Sequence, residues 1–166
     1  MKRVLALLLL TSPMAALAAS NPDASFFKHA AEGGISEVDA GTLAQDKSSD
    51  VKVKDFGAMM VKDHSAANEK LKALAAAKNL ELPTSASIAQ MAGKAKLEVL
   101  TGKTFDKSYI KGQIKAHRET IALFKKEAAT GQDADAKAFA VATLPTIKAH
   151  LKSIEGIAAS AGVSTK

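Results

Sequence analysis

No cysteine occurs in the 166-residue chain. Disulfide staples and thiolate chemistry are thereby excluded, and stability must come from packing. Tryptophan is absent, tyrosine occurs once, and aromatic residues make up 4% of the chain. Helices rich in Ala and Gly and poor in large rings must approach one another closely. No segment shows the apolar–polar alternation of a strand, so a sheet is not expected. Beyond the N-terminus no run reaches the about 20 apolar residues that a membrane span takes. Charge of one sign is also missing: lysines and acids are interspersed, and no basic block carries interleaved aromatics. These features speak against a nucleic-acid partner. No Ser, Cys or paired-carboxylate constellation points to hydrolysis, which leaves an enzyme the least favoured class.

What is present begins with an address. Lys2 and Arg3 precede the apolar run "VLALLLL", and "TSPMAALAAS" closes in small residues. Ala16 and Ala18 stand at the positions a signal peptidase reads for a cut after Ala18. Residues 1–18 therefore read as a signal peptide, with 19–166 as a single helical-bundle domain whose core spans about 24–160. Without Lys2 and Arg3 the mature chain carries 21 basic and 17 acidic residues, a formal charge of +4. A chain of this length buries a real core unaided.

Hydrophobic period and Gly/Pro punctuation predict four long helices and one short one. The first runs to about Lys47, the second over about 51–79 with Asp50 as its cap, and the third over about 104–130. The fourth starts at Asp133, continues to about Ala161 and contains Pro145, which is expected to kink it or mark a join. Between the second and third, residues 80–103 form a long connection in which "IAQMAGKAKLEVLTG" reads as a short helix or irregular segment. The expected fold is all-α, a four-helix bundle with one long crossover of the ferritin-like kind.

The histidines carry the chemistry. "VKDH" (61–64), "IKAH" (114–117) and "IKAH" (147–150) repeat one pattern, an apolar β-branched residue, Lys, any residue, His. At helical spacing the apolar residue shares a face with the His and the Lys lies opposite, so the histidines face inward. In the third long helix Ile110, Ile114, His117, Ile121, Phe124 and Ala128 form a core seam. Val53, Gly57, Met60, His64, Ala67, Leu71 and Leu74 form another in the second. The first offers Ala30, Gly34, Glu37, Gly41 and Ala44, a small-residue face broken by one acid that needs a partner if buried. Glu37, His64, His117 and His150 lie at similar heights and are expected in one interior layer. His29, two turns from Glu37, falls outside it. Asp63 is expected to face outward or toward a neighbouring helix, with support of a ligating histidine as its less favoured role, and Tyr109 lies two turns from His117, out of its reach.

The stretches "FFKHAAEGGISEVDAGTLA", "VKDFGAMMVKDHSAANEKLKALA" and "FDKSYI…AHRETIALFKKEAATGQDADAKAFAVATLPTIKAHL" resemble the exported bacterial family catalogued as domain of unknown function 4142, over about residues 24–155. That resemblance implies a ferritin-like bundle in the periplasm or associated with the outer membrane, and implies no activity. Ferritin-like di-iron proteins use a Glu on each of two helices and Glu-x-x-His on the other two. Here Val61 and Ile147 stand three residues before His64 and His150, and His117 stands where a Glu is expected. Di-iron oxidase and ferritin activity are therefore disfavoured.

Two functional readings remain. In one, the chain is a non-enzymatic periplasmic protein of envelope stress or interaction, with an envelope protein as partner. In the other, Glu37, His64, His117 and His150 hold a single zinc or copper ion, to which Met60 could add a soft ligand. For the layer as a whole the alternative is a hydrogen-bonded polar group that sets helix register, and for Met60 it is a core filler.

Overall fold

The computed structural model describes residues 21–165, and the signal-peptide expectation for 1–18 lies outside them. The helices are α1 (Ala24–Lys47), α2 (Val51–Ala77), α3 (Ile88–Glu98), α4 (Gly102–Thr130) and α5 (Ala134–Ser160). Among the described residues there is no strand. The starts follow local chemistry. Asp50 accepts from the Lys52 amide ahead of α2, and Asp133 accepts from the Asp135 and Ala136 amides ahead of α5. Ser87 and Gln90 form a capping box at α3. Pro145 does not divide α5, which is assigned as one helix through it. Proline lacks an amide hydrogen and leaves the Val141 carbonyl without its usual donor, and Val141 is exposed.

Helices α1 and α2 form one hairpin and α4 and α5 another. The hairpins pack with α1 against α4 and α2 against α5. Contacts at the ends fix the directions. At one end the Ser48 and Ser49 hydroxyls, in the α1–α2 turn, donate to Asp106 at the start of α4 at 2.5 and 2.7 Å. At the other, Asp23 ahead of α1 accepts from the backbone of Gln132 and Asp133, while Lys78 at the end of α2 pairs with Asp133 at 2.8 Å. Chain segment 78–101 must therefore travel the length of the bundle, carrying α3, before α4 can start beside the start of α2. This is the ferritin-like crossover. No helix among the described residues is long and apolar enough to cross a membrane.

The expected seams are the buried ones. Ala30, Gly34, Glu37, Gly41 and Ala44 are all buried on α1. Where α1 crosses α2, a Cβ on Gly41 would stand 2.6 Å from the Gly57 carbonyl oxygen, and one on Gly57 would stand 2.6 Å from the Gly41 carbonyl oxygen. Only glycine at both positions permits that approach, as the scarcity of large rings suggests. The apolar core falls into two clusters. One holds Phe26, Phe27, Leu71, Phe124, Phe139 and Ile147. The other holds Val53, Phe56, Met60, Phe105, Ile110 and Ile154. On each of α2, α4 and α5 the histidine falls between the two clusters, so a polar layer divides the core.

Candidate metal centre

His64, His117 and His150 come from three different helices and meet in that layer. Ring centroids are 6.0 Å apart for His64 and His117, 5.5 Å for His64 and His150, and 5.6 Å for His117 and His150. One ring nitrogen from each lies within 4.8 Å of the other two. Three points so spaced all lie within about 2.8 Å of a common centre, so modest ring rotations reach the 2.0–2.1 Å of a zinc–imidazole bond.

The far sides of two rings are held. His117 Nδ1 donates to the Gln113 carbonyl oxygen at 2.9 Å, one turn back on α4. His150 Nε2 donates to Asp63 Oδ2 at 2.9 Å across the α2–α5 contact. Each bond places the ring proton on the outer nitrogen and leaves a lone pair on the inner one. His117 Nε2, His150 Nδ1 and His64 Nε2 are all buried without a hydrogen-bond partner among the described residues. Buried nitrogens in that state are costly unless something else meets them. A carbonyl or carboxylate behind an imidazole is the usual support of a metal-ligating histidine.

Burial favours the neutral form of His64 and of His150. Burial, then the neighbouring His117 and His150, pull the His64 imidazole down to about 3, against a smaller opposing effect of Asp63. Burial also lowers His150, with Asp63 opposing. Neutral imidazole is the form that binds a cation.

Glu37 is buried in the same layer, yet it sits beside the outer nitrogen of His117, with Oε1 4.0 Å from Nδ1. The expectation of four converging ligands is thereby revised: the described residues bring three histidines to the common point and set the carboxyl behind one of them. The reason is a rotation of α1. Its small-residue face packs closely on α2, which directs position 37 toward α4 at Gln113. Burial pushes the Glu37 carboxyl up, and His117 and a hydrogen bond from Gln113 oppose that rise. Tyr109 shares this polar pocket, its hydroxyl pushed well up by burial and by Glu37. Met60 is fully buried in the apolar cluster with Val53 and Phe56. His29 is exposed and bonded to Ser25, one turn away on α1.

Sequence reasoning turned Asp63 outward or toward a neighbouring helix, and the structure sets it against His150. It precedes His64, and its contact becomes visible only once α2 is known to lie against α5. Beside the centre lies a cleft with a cavity of about 40 Å³, lined by residues of all four long helices, among them Glu37, His64, Asn68 and Thr120.

Two solved structures share this fold. A domain-of-unknown-function 305 protein from Streptomyces coelicolor superposes with a TM-score of 0.75 at 15% identity, covering 88% of this chain and 96% of its own. A fragment of the same family from Deinococcus radiodurans gives 0.72 at 12%, covering 81% and 93%. At such identities the likeness is one of fold. No curated protein matches the sequence. A family model does match, over residues 9–157, and the chain belongs to that family, catalogued as domain of unknown function DUF4142.

Proposed function

We propose that this chain is an exported helical-bundle protein that binds one transition-metal ion, zinc or copper, through His64, His117 and His150. The observation that carries this reading is the convergence of three histidines, each with a buried ring nitrogen that has no hydrogen-bond partner among the described residues, two of them with the other nitrogen held by Gln113 or Asp63. An imidazole donor set without thiolate or clustered carboxylates suits zinc or copper and offers nothing to a di-iron centre. The N-terminal leader pattern supports export, with the periplasm as the proposed location, and the Streptomyces coelicolor neighbour is described as a candidate secreted protein.

Native mass spectrometry of the mature protein with zinc and with copper tests the reading. One ion per chain is expected, lost in His117→Ala and kept in His29→Ala. Wild-type protein that takes up no stoichiometric ion would return the layer to a register-setting role. A second reading, interaction with an envelope partner, is favoured by α3, which buries no residue and leaves Ile88, Met91 and, just beyond it, Val99 exposed.

A further inference from the structure

The histidine layer meets a cleft at His64. His117 and His150 are 1% and 3% exposed, whereas His64 is only partly buried. The cleft beside it is walled by Glu37, His64, Gly33, Asn68, Thr120 and Thr143 among others. Asn68, Thr120 and Thr143 put neutral polar groups into a lining that is otherwise largely apolar. A Cβ on Gly33 would meet nothing within 4 Å, and the space that a Cβ on Gly34 would fill is taken by the Asn68 side-chain amide. Asn68 stands one turn beyond His64 on α2 and lines the same cleft. The cavity of about 40 Å³ has room for a few water-sized molecules.

We propose that the three-histidine centre keeps one coordination position open toward this cleft, where it takes a small exchangeable ligand, water or an anion of a few heavy atoms. This rests on the metal-binding reading above and goes beyond it. Tetrahedral structural sites are closed by four protein ligands, and sites with three leave the fourth position to water or substrate. The described residues bring three donors to the common point, and the Glu37 carboxyl, which also walls the cleft, has its Oε1 4.0 Å from the outer nitrogen of His117. Three neutral imidazoles leave the charge of a divalent ion uncompensated in a largely apolar core. An anion is therefore the ligand favoured to reach it.

The test uses the mature protein loaded with cobalt(II), whose visible bands report coordination, titrated with azide. In the wild type, azide should shift the bands saturably. Thr120→Leu fills the cleft one turn from His117; it should keep one cobalt per chain and bind azide at least ten-fold more weakly. Gly33→Leu repeats the obstruction from the opposite wall, should Thr120→Leu fail to fold. Cobalt bands of the wild type that do not respond to azide would overturn the proposal, because the fourth position would then be closed by the protein. A folded blocking variant that titrates like the wild type would overturn it too. Failure of the metal reading is distinct from both: no cobalt bands would form before azide is added.

Discussion

Lowering the pH should destabilise the metal-free protein through His64, and the size of the effect follows from its surroundings. Burial and two neighbouring imidazoles hold His64 down to about 3, against 6.5 for an unperturbed ring. Between those values the unfolded chain carries a proton that the folded chain refuses. Stability is therefore intact above about 6.5 and is lost progressively as the pH falls toward 3. From pH 7 to pH 5 the His64 contribution is about 2 kcal/mol, or about 4–8 °C in Tm for a chain of this size. His64→Gln removes the titrating group and keeps a polar side chain. Glu37, raised, is present in both proteins, and the difference between them reports His64 together with its coupling to His150. Urea titrations with EDTA at both pH values give the two drops in unfolding free energy. The wild-type drop should exceed that of His64→Gln by about 2 kcal/mol. Equal drops would mean that His64 is solvated and would refute the buried neutral layer.

Asp63→Ala removes the carboxylate behind His150 and should weaken metal binding about 10–100-fold without changing the one-ion stoichiometry, as read by competition with a chromophoric chelator. Gly41→Ala, which sets a Cβ 2.6 Å from the Gly57 carbonyl oxygen, should cost about 1–3 kcal/mol in urea unfolding. Gly33→Ala meets nothing and should gain about 0.5–1 kcal/mol from helix propensity; a cost at Gly33 would show that the α1 surface is misplaced. Burial, then Asp23 and Asp133, push the Glu127 carboxyl up to about 7. A raised carboxyl stabilises the fold at low pH, and that stability is lost as the pH rises through about 7. Glu127→Gln should thus be the more stable protein at pH 8, by on the order of 1 kcal/mol after allowance for solvent screening. The advantage should vanish at pH 5, as thermal melts at the two pH values would show.

The number of helices, their ends to within a few residues and their inward faces were all legible in the chain. Asp50 and Asp133 mark starts because a carboxylate at that point meets free amides, a purely local effect. The steps of four and three through His64 and His117 identify their faces because helical period is a property of the backbone alone. The long connection before α4 implied a crossover, since antiparallel neighbours need only short turns. Which atoms meet within the layer was another matter. Glu37 stands at the expected height yet lies behind His117, because the Gly41–Gly57 contact sets the rotation of α1 against α2. Asp63, one residue from an inward histidine, reaches His150 because α2 lies beside α5. One residue is about 100° of helix rotation, whereas a hydrogen bond is decided by ångström shifts between helices. Periodicity can therefore name the face that carries a side chain. Only the packing of one helix on another decides which group that side chain touches and where the layer meets the cleft.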